Sequence, residues 1–580
     1  MKNKPAIPNK NKPAKPMKVD TTVQLQTAMD LHNAGDFDNA RTAYKTILTT
    51  NPKDFNALHL LGVIETQTGN LENAIEYFTQ AIAINSTSAH VFNNRAGLYT
   101  FLKQPELALA DCDTAIKLDP NFIEAQLNRS QILLNLGDYK AALSSCDKVI
   151  SLKGYPEAYN TRGAILKKMG EHQTALANFN HAISLNKDYV DAYNNRGVLL
   201  QEFGEPLKAL DDYNFAIAAR PDYVEAYANK ASACQDLNLI EETLENYNHA
   251  LELKPDDVMI HTHRSFALLL SGNLLEGWKE FEWRKQTPTF INARQYDQPS
   301  YTGNESLTDK TILLYSEQGL GDSIQFARYI KLISDMALEV LVEVEEPLLN
   351  IFATSLPDNV KLIKKGNNIP AFDYHCSLMS LPLTFSTTLE TIPCSDAYLV
   401  SDPVKTEYWK NKLGDHTKLR VGIVWNGGFR PERNDLWAVN RRRNIPLEKF
   451  SILKNPDIAF YSLQKGEHAE FELETLIADK WKGPKLIDYT AELNDFSDTA
   501  ALIENLDLII AVDTSVAHLA AAIGKPTWIL NRFDTCWRWL LNRNDSPWYS
   551  SVKLYRQETY GDWDSVIERV NADLINYKAL

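Results

Sequence analysis

Long apolar runs are missing from this chain of 580 residues: no stretch approaches the roughly 20 consecutive apolar residues of a membrane-spanning helix. Cysteine is scarce. Six are present (Cys112, Cys146, Cys234, Cys376, Cys394 and Cys536) and none forms a Cys-x-x-Cys pair. That excludes a disulfide framework or zinc ribbon and fits a reducing cytoplasm. An excess of positive charge is also absent. Net charge is -15, which argues against nucleic acid and anionic membrane surfaces as general partners. The first residues, MKNKPAIPNKNKPAKPMKVD, lack the apolar core of a secretory signal, and 1–20 read as a disordered basic tail. The length exceeds what one hydrophobic core sustains, so at least two domains are expected.

What the chain does contain is a period. A glycine slot recurs at Gly35, Gly69, Lys103, Gly137, Gly170, Gly204, Asn238 and Gly272, with six steps of 34 residues and one of 33. Five positions on stands a small residue: Ala40, Ala74, Ala108, Ala142, Ala175, Ala209, Thr243, Gly277. Four further on comes an aromatic or cysteine: Tyr44, Phe78, Cys112, Cys146, Phe179, Tyr213, Tyr247, Phe281. Over residues 21–287 this resembles eight copies of the tetratricopeptide repeat. Each helix pair cannot bury its apolar face alone, so an α-solenoid, a superhelix with a concave groove, is expected.

Two columns run along it. Asn94, Asn128, Thr161, Asn195, Asn229 and His263 share one slot, followed by Arg95, Arg129, Arg162, Arg196, Lys230 and Arg264. An asparagine amide both donates and accepts, which suits an extended peptide backbone. The slot is similar to the asparagine ladder of tetratricopeptide-repeat O-GlcNAc transferases. That makes Asn94, Asn128, Asn195 and Asn229 candidate acceptor-binding residues. The alternative is that both columns tie neighbouring helices together.

After residue 287 the period stops and 288–310 read as a linker. Short apolar runs then alternate with helical patterns, the mark of α/β architecture with parallel sheets. Expected strands are 312–315, 340–344, 360–363 and 374–377, then 420–425, 458–462, 485–488, 508–512 and 527–530. A hinge near Asp402–Leu413 would divide a lobe at 311–402 from one at 403–580, with a ligand between them at the strand ends.

Four motifs sit at such ends. Ser316-Glu-Gln-Gly-Leu-Gly-Asp-Ser323 places Gly319 and Gly321 where backbone N–H groups meet a phosphate, with Asp322 at the helix start. Its bland role is a helix cap. Val424-Trp-Asn-Gly-Gly428, with Asn426, precedes the basic run Arg441-Arg-Arg443, suited to clamping a diphosphate or lying as a solvated loop. Ser462-Leu-Gln-Lys-Gly466 presents Lys465. Leu508-Ile-Ile-Ala-Val-Asp-Thr-Ser-Val-Ala-His518 ends a buried strand at Asp513, and Thr514 and Ser515 then open a helix bearing His518.

Together these resemble glycosyltransferase family 9, the heptosyltransferase-like proteins of the two-lobed, Rossmann-like GT-B fold. The resemblance implies Asp322 as general base, with His518 beside it in the catalytic set. It implies Gly319, Gly321, Asn426, Arg443, Lys465, Asp513, Thr514 and Ser515 as donor-binding residues. Serine stands at 515 where heptosyltransferases usually have glycine. The chain also resembles bacterial tetratricopeptide-repeat protein glycosyltransferases, through GWKEFEWR, SEQGLGDSIQF, SLQKG and the segment from Trp537-Arg-Trp-Leu540 to Asp545-Ser-Pro-Trp-Tyr549. In the last segment Trp537, Arg538, Trp539 and Trp548 would shape an acceptor or sugar pocket, or belong to the core. That resemblance implies an inverting transferase moving a sugar from a nucleotide-sugar to a protein acceptor, flagellin among them, without metal or other cofactor. Asp562-Trp-Asp564 has the spacing of a metal-binding pair but reads as a helix cap. Two alternatives are a non-enzymatic adaptor with a degenerate transferase domain and a transferase for a lipid-linked or polysaccharide acceptor.

Overall fold

The computed structural model describes residues 21–287, 290, 295–393, 396–414, 417–427, 437–478 and 481–577. The expected tail at 1–20, Gly428 and Cys394 lie outside the described residues. Sixteen consecutive helices run from Thr21–Asn33 to Leu274–Phe281, followed by a parallel α/β region. The chain forms two compact units, 1–199 and 200–580. The division falls inside the helix array, so the later repeat helices belong to the same unit as the sheets.

In unit 1 the periodic residues are the core. Ala40, Ala74, Ala108, Ala142 and Ala175 are fully buried, as are Tyr44, Phe78, Cys112, Cys146 and Phe179 in their second helices. Small residues let the paired helices approach; large ones fill the space between pairs. Burial pushes the Cys112 thiol up to about 12 and the Cys146 thiol to about 11, so both behave as small apolar groups. The glycine slot is the left-handed residue that ends each first helix. Lys103 stands there with φ 57° where Gly69 and Gly137 have φ 80° and 82°. A side chain in that conformation costs roughly 1–2 kcal/mol, partly offset by the greater freedom of unfolded glycine. Lys103→Gly is expected to stabilise unit 1 by about 0.5–1 kcal/mol. Thermal unfolding checks this, and an unchanged or lower melting temperature would refute it.

Unit 2 holds the helices from Pro206–Ala219 to Leu274–Phe281 and two parallel sheets. Four strands, β1 (Thr311–Tyr315), β2 (Glu339–Val344), β3 (Val360–Lys364) and β4 (Tyr374–Ser377), pair in the order β3-β2-β1-β4. Six more are β5 (Leu419–Val424), β6 (Ile458–Ser462), β7 (Leu486–Asp488), β8 (Leu508–Val512), β9 (Thr527–Asn531) and β10 (Val552–Arg556). Their order is β10-β9-β8-β5-β6-β7. The central strands are continuous apolar runs because helices cover both faces. These are two Rossmann-like lobes. All nine expected strands are present, with ends moved by at most one residue; β10 is not among the expected strands. The segment expected as a hinge is a helix, Pro403–Leu413, capped by Asp402, whose carboxylate accepts from Val404 N at 2.8 Å. The second half of the expected linker is packed: Tyr301 is buried and donates its N–H to the His375 carbonyl at 2.8 Å, beside β4.

GWKEFEWR lies where the last helices meet the lobes. Trp278 stands edge-on to Trp537 at 5.3 Å and donates to the Thr387 carbonyl at 3.2 Å. Arg284 grips Glu317 with two hydrogen bonds of 2.7 and 2.9 Å. Nearer β9, Arg442 pairs with Asp534 at 3.0 Å and Asn238 donates to the Phe533 carbonyl at 2.9 Å. Three of the four tryptophans and arginines expected to form a pocket, Trp537, Trp539 and Trp548, are core residues.

Candidate active site

In the repeats, the asparagine column is turned inward along the array. Asn128 Nδ2 donates to Asn93 and Asn195 Nδ2 to Asn160, both at 2.9 Å, and Asn94 Nδ2 lies 3.1 Å from His59 Nε2. Each bond reaches a residue 35 positions earlier, in the preceding repeat. Asn229 holds the equivalent place in the Val224–Asp236 helix. The arginine column pairs with second helices of the same or the preceding repeat: Arg95 binds Asp111 through two hydrogen bonds, Arg129 donates to Asp113 at 2.6 Å and Arg264 reaches Glu280 at 3.1 Å. The helix-tying alternative thus describes these observed contacts.

The second cluster lies in unit 2, where strands β1, β5 and β8 end. β1 leads through Gly319 into the helix Leu320–Phe326, and β8 leads through Thr514 into the helix Ser515–Ala522. Thr514 caps its helix, its hydroxyl accepting from Ala517 N at 3.4 Å, and the remaining N–H groups of the first turn have no acceptor within the helix. The two helix starts touch. A Cβ on Gly321 would lie 3.1 Å from the His518 ring and 3.5 Å from Ser515 Cα, so glycine is what lets the backbones approach.

Asp322 is a cap and more. One carboxylate oxygen accepts from Gly319 N at 2.9 Å; the other is ion-paired to Arg538 from the opposite lobe. Arg538 also donates to Gln325 Oε1 at 2.6 Å and to Cys536 Sγ at 3.1 Å, and lies 4.4 Å from the Trp537 ring centre. Burial pulls the Arg538 guanidinium down, but Asp322, Cys536 and Asp513 outweigh it and hold it firmly protonated. His518 is buried. Its Nδ1 bonds the Tyr549 hydroxyl at 2.9 Å, its Nε2 lies 3.7 Å from Asp513, and its ring stacks on Trp539 at 5.3 Å. Burial pushes the Asp513 carboxyl up. His518, Arg443 and Arg538 together overcome this and keep it well below the usual carboxylate range.

Arg443 arrives from the helix Trp437–Arg443. It donates to the Asp513 carbonyl at 3.3 Å and the Gly427 carbonyl at 2.7 Å. Gln464 ties the β5 and β6 ends together, accepting from Trp425 N at 3.1 Å and Asn426 N at 2.9 Å. Asn426 Oδ1 is buried with no hydrogen-bond partner among the described residues. Lys465 is not brought to this cluster: it is exposed and its ammonium is taken by the Leu493 carbonyl. Asp562 caps the helix Trp563–Asn576, accepting from Ser565 N at 3.1 Å. No cluster of three or more His, Cys, Asp or Glu able to share a metal occurs among the described residues.

The site therefore joins Asp322, Arg538, Asp513, His518 and Arg443. Arg538 and Gln325 were not in the expected set. Arg538 stood out in the sequence only as part of a tryptophan-rich segment, and nothing local marked Gln325.

Residues 25–89, 89–122, 123–155, 163–204 and 224–257 match tetratricopeptide repeats. Residues 477–530 match glycosyltransferase family 9 (heptosyltransferase). The chain is 25% identical to Protein FlbA of Caulobacter vibrioides over 97% of its length and 91% of that protein. Anaphase-promoting complex subunit 3 of Schizosaccharomyces pombe is 26% identical over 27% of this chain and 24% of its own. Among solved structures, a tetratricopeptide repeat protein from Parabacteroides merdae overlays 43% of this chain and 98% of its own, at 22% identity and a TM-score of 0.39. The chain thus carries tetratricopeptide repeats together with a family 9-like glycosyltransferase region.

Proposed function

We propose that this protein is an inverting glycosyltransferase whose repeats hold a protein acceptor and whose lobes bind a nucleotide-sugar, flagellin being the acceptor to test first. The observation that carries the reading is the meeting of two helix starts from opposite lobes around Asp322, Asp513, Arg443 and Arg538. In the reaction an acceptor hydroxyl attacks the anomeric carbon on the face opposite the leaving group. The new C–O bond forms as the bond to the nucleoside diphosphate breaks, and the hydroxyl proton passes to Asp322. Arg443 and the first N–H groups of the Ser515–Ala522 helix receive the charge developing on the diphosphate. No metal is needed in this scheme. No helix among the described residues is long and apolar enough to cross a membrane.

One observation favours an adaptor instead: both oxygens of the Asp322 carboxylate are already engaged, by Gly319 and Arg538. Intact-mass measurement of flagellin from cells lacking the gene, complemented with the wild type or with Asp322→Ala, separates the two: an adaptor restores the mass with either, a transferase only with the wild type. Transfer to flagellin predicts a loss of mass in whole sugar units on deletion, restored by the wild-type gene. Unchanged mass would reject flagellin as acceptor.

A further inference from the structure

The Asp322–Arg538 pair is poorly placed for a base and well placed for a latch. Both carboxylate oxygens of Asp322 are already taken, one by the Gly319 N–H and one by a guanidinium. Arg538 is itself incompletely served. One terminal nitrogen reaches only the Cys536 sulfur, a weak acceptor, and its side chain keeps 12% of its surface in contact with solvent. The pair also touches a donor that lacks an acceptor. Gln325, bonded to Arg538 through Oε1, has its Nε2 buried with no hydrogen-bond partner among the described residues. The Gln325 assignment is firm, because its Oε1 takes the Arg538 Nε–H and a guanidinium can only donate. Buried N–H groups of this kind call for an acceptor-rich ligand. Arg443, on the Asp513 carbonyl, supplies a second cation beside the same helix start.

We propose that Arg538 is a positioning residue that serves two acceptors in turn: Asp322 in the arrangement seen here, and the diphosphate of the sugar donor once that binds. Transfer of the guanidinium frees one oxygen of Asp322 to receive the acceptor proton. The proposal rests on the transferase reading and adds an order to it, donor before acceptor. A diphosphate bears more charge than a carboxylate and takes the guanidinium fork through two oxygens, so it outcompetes Asp322 for Arg538. Water reaching an unprimed site then meets a carboxylate whose two oxygens are both engaged.

Calorimetry on the full chain with inorganic pyrophosphate as probe tests this as a double-mutant cycle. Asp322→Asn weakens the hold on Arg538 and is expected to tighten pyrophosphate roughly tenfold. Arg538→Met is expected to weaken it by a similar factor. The tightening by Asp322→Asn must vanish when Arg538 is already methionine. Tightening that persists there would be through-space relief of negative charge and would overturn the proposal, as would no tightening at all. If Arg538→Met fails to fold, as judged by circular dichroism, Arg538→Lys replaces it: it keeps the charge, loses the fork, and is expected to remove most of the coupling. Flagellin mass reads the transferase assignment separately, so unmodified flagellin with an intact cycle rejects the acceptor and leaves the latch standing.

Discussion

Asp322→Asn slows sugar transfer by roughly 100- to 10,000-fold, the range for removing a general base. The amide is isosteric with the carboxylate and still offers an oxygen to Gly319 N, bonded at 2.9 Å in the native protein, so the glycine turn and the helix Leu320–Phe326 keep their geometry. What is lost is basicity and the charge facing Arg538. The loss therefore falls on kcat, and KM for the donor falls with it because Arg538 turns to the diphosphate more readily. Steady-state kinetics with purified acceptor check both directions, with circular dichroism confirming the fold. Transfer at the native rate would remove Asp322 as base and leave it a cap that bridges the lobes.

Arg328→Met destabilises unit 2 by about 3–5 kcal/mol. Arg328 is 2% exposed. Its guanidinium donates to the Gln325 carbonyl at 2.8 Å, the Trp548 carbonyl at 2.7 Å and the Tyr398 hydroxyl at 3.3 Å. It also lies 4.7, 5.3 and 4.8 Å from the ring centres of Tyr398, Trp548 and Tyr549. Methionine fills much of the volume but donates nothing, leaving buried carbonyls without partners and the aromatic faces without their cation. Arg328 follows the helix that carries Asp322, while Trp548 and Tyr549 follow the segment that carries Arg538. Its loss is therefore expected to loosen the candidate site as well as the core. Unfolding followed by tryptophan fluorescence is expected to shift down by roughly 5–10 °C. A shift corresponding to under about 1 kcal/mol would show that the rings pack as well without the cation.

Much of this architecture is readable from residue order because its signals are short. The slot occupied by Lys103 is recognisable from its neighbours at the repeat spacing, and a left-handed residue is required there in every copy. Strands such as β8, Leu508–Val512, are runs of buried apolar residues, and the residues just beyond them, Asp513 to Ser515, announce a helix start. The strand β10 escaped notice. It lies at the sheet edge, and its exposed Lys553 and half-buried Arg556 interrupt the apolar signature.

The candidate site divides in the same way. Asp322, Asp513, Thr514, Ser515 and His518 belong to local strand-turn-helix patterns, so residue order alone picked them out. So did the asparagine column, whose spacing is plain but whose partners, 35 residues away, are not. Arg538 pairs with Asp322 across 216 positions, and Arg328 reaches the Trp548 carbonyl across 220. Lys465, plausible from its glycine turn, falls to the Leu493 carbonyl instead. Backbone conformation and burial are settled by a residue and its near neighbours, which is why the repeats and strands were legible. Which side chain meets a charge depends on how two sheets and a set of helices close upon one another, and that packing leaves no mark within any short window of sequence.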